Sequence, residues 1–318
     1  AFYLRRSLRI FPIYFSYIFL ITIIFFIFKV PSVFKEQWLY VYTYSYNLAK
    51  VFNPNFDTNK YFGHLWTLAI EEQFYLLWPF FIFFLNEKNL KKFILAIIFI
   101  GPLLRLLIGL FLLNLNQNIE FIGVFNCYST FTQIDSFAFG ASIVVFRLNE
   151  LKKTTKYFLI ILFTTFILGI VNSFVFNPHA ENISITTFGY PRYLSFNSFQ
   201  QVWGYTLFNI LSVSLILCLL KKDKYLINIF ENKYLMNIGK ISYGMYLFHY
   251  PILGIFDNLL NFEHKSLKGL IIFLFFLIVV IIVSELSFKY YESKFIKLKD
   301  KFKAKELNIV RPLETISD

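Results

Sequence analysis

Residues 10–28 read IFPIYFSYIFLITIIFFIF, an uncharged run of apolar and aromatic residues between Arg9 and Lys29. A helix of about 20 residues is long enough to cross the hydrocarbon core of a bilayer. Similar runs recur along the chain, in which 57% of the 318 residues are hydrophobic and only 16% are charged. A soluble domain needs more polar surface than this, so the composition indicates a chain that lies mostly in a membrane.

The apolar runs predict an all-α fold, a polytopic transmembrane helix bundle. Backbone polar groups cannot stay unpaired in lipid, and the period-2 alternation of a transmembrane barrel is absent, so helices are expected. The fourth run is the least hydrophobic, because it contains Gln133, Asp135 and Ser136. We predict eight spans, at residues 10–28, 65–85, 93–113, 128–146, 157–176, 202–220, 241–260 and 270–288.

The lysines and arginines predict the orientation of the chain. Most of the 31 lysines and arginines fall at the start of the chain, in alternate loops and after Phe288. Cytoplasmic loops carry such an excess, so both termini are predicted to be cytoplasmic in a multi-pass protein of the bacterial inner (plasma) membrane. The net charge of +12 then reflects topology and attraction to the lipid bilayer, and no nucleic acid partner is expected. Residues 1–296 form the predicted membrane domain and residues 297–318 a charged cytoplasmic tail.

Cysteine usage gives no sign of a disulfide or a metal site. The two cysteines, Cys127 and Cys218, are predicted near opposite sides of the bilayer, where they cannot pair. Neither belongs to the Cys and His spacings that are typical of zinc sites. No metal and no bound cofactor are therefore expected.

The second predicted span is the richest in polar residues. Residues 64–79 read HLWTLAIEEQFYLLWP. At 3.6 residues per turn, His64, Glu71 and Tyr75 share one stripe, whereas Glu72 points about 100° away. Ionisable groups inside a membrane are costly and are candidates for function. The two glutamates are either structural partners for cations or backbone donors, or Glu71 orients or deprotonates a reacting hydroxyl or a histidine.

The third and fourth predicted spans each contain one deeply placed ion. Arg105 lies about 18 Å from the cytoplasmic end of its helix at 1.5 Å per residue, and Asp135 falls at nearly the same depth. Opposite charges at one depth can neutralise each other in a low-dielectric interior. We therefore hypothesise a structural ion pair between Arg105 and Asp135.

The seventh predicted span opens with GKISYGMYLFHYP, residues 239–251. Small and hydroxyl-bearing residues such as Ser242 allow close helix contact and polar bonding. Pro251 has no N–H, so it leaves a carbonyl without a helical partner one turn upstream, around Leu247. His249 is either a satisfied interhelical donor or a group that contacts substrate or handles a proton.

The first residues of the chain contain three arginines, Arg5, Arg6 and Arg9. On topology alone they are an ordinary cytoplasmic flank of the first span. Arginine is used three times here although the chain is otherwise rich in lysine. Because guanidinium binds phosphate and carboxylate bidentately, this choice favours an anion-binding role.

Four of these segments together resemble the acyltransferase-3 family of integral-membrane O-acyltransferases. Residues 2–14 (FYLRRSLRIFPIY) resemble its paired-arginine motif, and residues 64–79 resemble its most distinctive segment. Residues 133–140 are similar to a weaker Asp-to-Gly motif, and residues 239–251 are similar to its late Ser-Tyr and His-x-Pro motif. Glu292 sits where the family often ends its last helix with an acidic residue. The motifs occur in family order across nearly the whole chain.

The resemblance implies transfer of an acyl group, usually acetyl, from cytoplasmic acyl-CoA to a hydroxyl of a cell-surface or lipid-linked carbohydrate. It implies that the CoA phosphates meet Arg5, Arg6 and Arg9, and that Glu71 and Glu72 act in catalysis. The family has about ten core helices, so two helices and the main histidine base are expected upstream of Ala1. The implied substrate-binding residues are His64, Trp66, Tyr75, Ser242, Tyr246 and His249.

A transporter or flippase of a lipid-linked sugar or acyl group is the competing interpretation, since such proteins also need polar groups at mid-membrane. The hydropathy pattern contains no internal repeat and no paired broken helices, which favours the enzyme. Lipopolysaccharide, capsule, exopolysaccharide, peptidoglycan and small molecules all fit as acceptors.

Overall fold

A computed structural model describes residues 2–27, 31–53, 56, 59–176, 187–191, 193–260 and 267–303. Within these residues the secondary structure is all-α, as predicted, and no strand is present. Residues 304–318 of the predicted tail lie outside the described part. The α-helices are α1 (Phe2–Ile27), α2 (Pro31–Tyr42), α3 (Tyr46–Phe52), α4 (Trp66–Phe84), α5 (Glu87–Asn114), α6 (Ile119–Tyr128), α7 (Ile134–Val145), α8 (Thr154–Phe176), α9 (Gln200–Leu220), α10 (Lys224–Phe230), α11 (Lys233–Leu260), α12 (Leu267–Ser287) and α13 (Ser293–Lys303).

The chain divides into two compact units. Unit 1 comprises Ala1–Thr43, Asp57–Leu65 and Lys233–Asp318, and unit 2 comprises Tyr44–Phe56 and Trp66–Asn232. In unit 1, α11 packs along α12, and α1 packs against α2, α11 and α13. In unit 2, α5 packs against α7 and α9, and α8 packs against α9.

Buried tyrosines anchor α1 within unit 1. The Tyr14 hydroxyl donates to the Val41 carbonyl at 2.7 Å, and the Tyr17 hydroxyl donates to the Tyr61 carbonyl at 2.6 Å. Buried hydroxyls need such partners because an unpaired polar group in an apolar interior is costly. These bonds fix the polar face of α1 toward the rest of its unit.

Five helical stretches of the described residues are long and apolar enough to cross a membrane. They coincide with predicted spans one, three, five, six and eight, and they agree with a multi-pass membrane protein. Many large apolar side chains remain exposed on them, which suits a lipid solvent. The five are Phe2–Ile27, Glu87–Asn114, Thr154–Phe176, Gln200–Leu220 and Lys268–Leu298.

The other three predicted spans, at residues 65–85, 128–146 and 241–260, are not among these five long apolar stretches. The second span corresponds to α4, a continuous helix whose hydropathy is lowered by Glu71, Glu72 and Gln73. The seventh span lies within α11, which begins at Lys233 and therefore includes a charged first turn. The number of spans and the cytoplasmic placement of the termini remain predictions.

The fourth predicted span, 128–146, is wrong as a continuous helix. The chain leaves the helical path between Tyr128, where α6 ends, and Ile134, where α7 begins. The Thr132 hydroxyl donates to the Asn126 carbonyl at 2.7 Å, and the Gln133 amide donates to the same carbonyl at 2.8 Å. Short polar side chains that bond nearby backbone groups in this way compete with helix formation.

Candidate functional site

A cluster of aromatic and imidazole rings surrounds His64 in unit 1. The ring centroid of His64 lies 5.3 Å from that of Tyr246, 5.2 Å from His249 and 5.0 Å from Tyr250. Tyr17 of α1 approaches the same imidazole at 6.1 Å. Only 7% of His64 is exposed, so these rings remove it almost entirely from solvent. We call these five residues the imidazole cluster.

A hydrogen bond connects His64 to the middle of α11, because the Tyr246 hydroxyl donates to the His64 carbonyl. The backbone carbonyl of Leu247 lies close to the His64 imidazole. Pro251 lies four residues after Leu247 and has no N–H, so this carbonyl lacks its usual helical donor. The proline in the sequence pattern thus leaves an open acceptor beside the His64 ring.

His249 is held in one tautomer by its own helix. Its Nδ1 lies 2.6 Å from the Tyr246 carbonyl oxygen, which can only accept a hydrogen bond. Nδ1 therefore carries the proton, and in the neutral ring Nε2 carries the lone pair. A histidine oriented in this way has a basic nitrogen that can accept a proton from a hydroxyl.

The three arginines predicted to bind anions lie in the first two turns and just beyond on α1, also in unit 1. The side chains of Arg5 and Arg6 are half-buried, whereas Arg9 is exposed. Arg9 lies about 12 Å along the helix from Tyr17 of the imidazole cluster, at 1.5 Å per residue. Helix α1 therefore carries the three arginines near its start and, about two turns after Arg9, the Tyr17 ring of the imidazole cluster.

In unit 2 the acidic segment lies on the first half of α4. Glu71 and Glu72 are half-buried. The next residue, Gln73, donates from its amide to the Tyr44 carbonyl at 2.9 Å and to the Asn47 side chain at 3.0 Å. These bonds hold the turn of α4 that carries both carboxylates.

A second polar network extends from Gln73. The Thr130 hydroxyl donates to the Gln73 Oε1 at 2.5 Å, and the Asn47 amide donates to the Thr130 hydroxyl at 3.0 Å. Asn47 is fully buried and also donates to the Tyr128 carbonyl at 3.1 Å. Neither Asn47 nor Thr130 is ionisable, so neither stands out in the sequence as a costly group inside the membrane.

Aromatic residues of α4 form packing surfaces in unit 2. Trp66 stacks on Tyr128 with ring centroids 4.5 Å apart, and Tyr75 contacts the ring of Phe74 edge-on at 6.0 Å. A small apolar pocket lies beside the same helix. It is lined by Gln73, Phe74, Leu77, Trp78, Phe81, Phe93, Ile97, Thr130, Ile134 and Phe137.

The structure brings Arg105 and Asp135 together as a buried ion pair in unit 2. Both side chains are fully buried, and the guanidinium donates to the two carboxylate oxygens at 2.9 and 2.7 Å. Two further bonds go from Arg105 to the Thr132 carbonyl at 2.5 Å and to the Thr206 hydroxyl at 3.0 Å. The bidentate geometry and these added partners are what a buried ion pair needs in order to persist.

Ser242 is the one predicted substrate residue of α11 that lies away from the imidazole cluster. It is exposed, and its hydroxyl donates to the Gly239 carbonyl of its own helix at 2.9 Å. Tyr246 and His249, in contrast, both contact His64. Within the described residues, no three His, Cys, Asp or Glu side chains are grouped in a way that suits a metal ion.

The chain matches the family model described as an acyltransferase domain over residues 1–287. It therefore belongs to the acyltransferase-3 family, as its motifs predict.

The chain is similar in sequence to two named O-acetyltransferases. It is 28% identical over 310 residues to the peptidoglycan O-acetyltransferase OatA of Listeria monocytogenes, covering 92% of this chain and 45% of the relative. It is 26% identical over 239 residues to the O-acetyltransferase OatA of Staphylococcus aureus, covering 72% of this chain and 35% of the relative. The chain thus spans less than half the length of these relatives. No solved structure matches it.

Proposed function

We propose that the chain is the membrane acyltransferase domain of an O-acetyltransferase that acts on a cell-surface carbohydrate. The observation that carries this proposal is the family match over residues 1–287, together with relatives that are named O-acetyltransferases. Peptidoglycan is the acceptor named for the Listeria relative, and it is the acceptor we propose to test first.

We propose acyl-CoA as the donor. Its phosphates would bind Arg5, Arg6 and Arg9, since guanidinium groups bind phosphate oxygens bidentately. CoA carries its phosphates and its thioester at opposite ends of a long pantetheine arm. That separation suits a donor whose phosphates lie at the cationic end of α1 and whose thioester lies deeper along the same helix.

In the proposed reaction the acceptor hydroxyl oxygen attacks the thioester carbonyl carbon. The new C–O ester bond forms, the C–S bond breaks, and the CoA thiolate takes up a proton. Nε2 of His249 is suited to accept the proton that the hydroxyl loses, because Nδ1–H is committed to the Tyr246 carbonyl. His64 and Tyr246 would contact the substrate, with Trp66 and Tyr75 as further candidate contacts.

Glu71 and Glu72 are proposed to act in catalysis by orienting the acceptor hydroxyl or, in place of His249, by accepting its proton. Both side chains are half-buried on a helix whose register is held by Gln73. If this proposal is right, Glu71→Gln lowers kcat in the acetyl-transfer assay described next. An unchanged kcat would leave Glu71 with a structural role.

A transfer assay tests the proposed function. Membranes of cells that express the intact protein are incubated with acetyl-CoA labelled in its acetyl group, and base-labile label is counted in the carbohydrate fraction. Label that depends on the protein supports the enzyme. Movement of a lipid-linked sugar across the membrane without transfer of label would instead support a transporter.

The same assay tests the donor site. The double variant Arg5→Lys, Arg6→Lys keeps both charges but removes the bidentate geometry, so we expect a higher KM for acetyl-CoA. Arg147→Lys is the matched control, because Arg147 is an exposed arginine at another predicted cytoplasmic position. Unchanged transfer kinetics in the double variant would remove the phosphate-binding role of Arg5 and Arg6.

A further inference from the structure

Helix α13 closely follows a helix of membrane length in unit 1. Helix α12 has 21 residues, or about 31 Å at 1.5 Å per residue, which is the length that crosses a hydrocarbon core. Only the π-helical segment Phe288–Glu292 separates it from α13. In this segment Tyr290 is 59% exposed, and the Lys289 Nζ lies 5.2 Å from its ring centroid. Exposed tyrosine and lysine are typical of the interface between lipid and water, so α13 begins at that interface.

The sequence of α13, SKFIKLKDKFK, is basic and amphipathic. Five of its eleven residues are lysine and one is aspartate, and the others include two phenylalanines, an isoleucine and a leucine. Basic amphipathic helices lie in the membrane interface, with their apolar side chains in the acyl region and their ammonium groups at the level of the head groups. The composition therefore favours contact with a lipid surface that carries negative charge.

One side of α13 packs within unit 1. The helix contacts α1, and the ring centroid of Phe295 lies 5.1 Å from that of Tyr291. The hydroxyls of Tyr291 and Ser16 are in turn hydrogen-bonded at 2.6 Å. Phe295 and Ile296 are both half-buried. These contacts hold α13 beside α1 and determine which side of it faces outward.

The outward side of α13 combines two cations with an apolar side chain. Lys294, Lys297 and Leu298 are exposed, and at 3.6 residues per turn they fall within a sector of about 100°. Leu298 is 40% exposed. Water suits the lysines but not the leucine. The interface of an anionic bilayer suits all three, because the leucine reaches the acyl region while the ammonium groups reach the phosphates.

We propose that the outward side of α13 binds anionic phospholipids, with Lys294 and Lys297 on the head-group phosphates and Leu298 in the acyl region. Phosphate also occurs in CoA, so the two cations by themselves would suit either ligand. Leu298 favours the lipid, because a soluble phosphate offers it no apolar partner. The inference goes beyond the proposed function, since it concerns the binding of lipid and is measured without acetyl transfer.

A lipid titration tests this inference. The purified intact protein, in an uncharged detergent, is titrated with phosphatidylglycerol or with phosphatidylcholine of the same acyl chains, and bound lipid is measured by native mass spectrometry. We expect phosphatidylglycerol to bind more tightly, and its advantage to shrink as the salt concentration rises. Equal affinities for the two lipids at low salt would overturn the inference.

The double variant Lys294→Gln, Lys297→Gln assigns the binding to α13. We expect the affinity for phosphatidylglycerol to fall about 25-fold, since each lysine near an anionic surface contributes about fivefold. Lys88→Gln, Lys92→Gln is the matched control, because it removes two exposed lysines from the first turns of α5, at another predicted cytoplasmic position. An equal loss in the control would mean that the lipid responds to net charge and not to α13.

Two further measurements keep the test decisive. Lys294→Arg, Lys297→Arg retains both charges and should retain the preference for phosphatidylglycerol, and thermal unfolding in detergent without lipid should be unchanged because these side chains are exposed. If the double Gln variant does not fold, the salt dependence of the wild type and the Arg variant remain as tests. A loss of the lipid preference in a folded Arg variant would contradict binding through charge.

Leu298→Gln and free CoA distinguish a lipid from a soluble phosphate. Leu298→Gln leaves the charge unchanged and should weaken binding of phosphatidylglycerol about fivefold, because less apolar surface is removed from water. Free CoA should not displace phosphatidylglycerol from the wild type. Displacement by CoA, or wild-type lipid affinity in Leu298→Gln, would assign the surface to soluble phosphate and overturn the inference.

Discussion

Two buried polar clusters, one in each unit, differ in how their groups are paired. In unit 2, Arg105 and Asp135 neutralise each other, and the arginine makes four hydrogen bonds in all. In unit 1, His249 donates its Nδ1–H to the Tyr246 carbonyl, and the His64 ring is buried among aromatic rings. The first cluster holds two charges that are bound to each other, whereas the second holds an imidazole whose Nε2 is not bound by its own helix. This difference supports a structural role for the first cluster and the proposed chemistry for the second.

The largest expected effect is the loss of one partner of the ion pair. Arg105→Ala leaves a fully buried carboxylate without its cation, which we expect to destabilise the protein by about 3–5 kcal/mol. Thermal unfolding in detergent, or the yield of folded protein, measures this. In a double-mutant cycle with Asp135→Asn, the second change should cost much less once Arg105 is absent. Additive effects would mean that the two side chains do not interact.

A large effect on activity, with little effect on stability, is expected at His249. His249→Asn keeps an N–H donor near the position of Nδ1 and removes the basic Nε2, so the bond to the Tyr246 carbonyl can remain. We expect kcat for acetyl transfer to fall by about 10²-fold or more, the usual contribution of a general base. Wild-type turnover in a folded Asn variant would show that Nε2 accepts no proton in the rate-limiting step.

Pro251→Ala tests the role of the open Leu247 carbonyl that lies beside His64. Alanine supplies an N–H that can bond to the Leu247 carbonyl, so it closes this acceptor to the imidazole cluster. We expect turnover to fall by about tenfold, equivalent to about 1.4 kcal/mol, while the helix becomes no less stable. Pro102→Ala in α5 is the control, since Pro102 is also inside a helix and should affect turnover little. Equal losses in the two variants would contradict the specific role of Pro251.

Many of the helices, and the depth of the polar residues along them, could be predicted from the sequence, because an apolar chain in a membrane has few possible secondary structures. Apolar length predicted the five helices that are long enough to span, and counting 1.5 Å per residue placed Arg105 and Asp135 at one depth. The missing N–H of Pro251 predicted a carbonyl open to a new donor near Leu247. Each of these rests on local geometry that a single helix determines.

The rest depends on tertiary contacts that no local pattern encodes. The break between Tyr128 and Ile134 arises from hydrogen bonds of Thr132 and Gln133 that an apolar count does not register. The π-helical segment Phe288–Glu292, between α12 and α13, was likewise not predicted, since nothing in its composition differs from an ordinary helix end. The imidazole that lies close to the Leu247 carbonyl, that of His64, comes from a distant part of the chain.

The smallest expected effect comes from an exposed ion pair in unit 1. Lys60 Nζ lies 2.5 Å from Asp257 Oδ2, which is shorter than either distance between Arg105 and Asp135, but the two side chains are 50% and 47% exposed. Water and salt screen such a pair, so Lys60→Met should change stability by at most about 1 kcal/mol. The change should shrink further in high salt, as measured by thermal unfolding in detergent at two ionic strengths. A loss as large as that of Arg105→Ala would mean that distance, rather than burial, decides what an ion pair contributes in this protein.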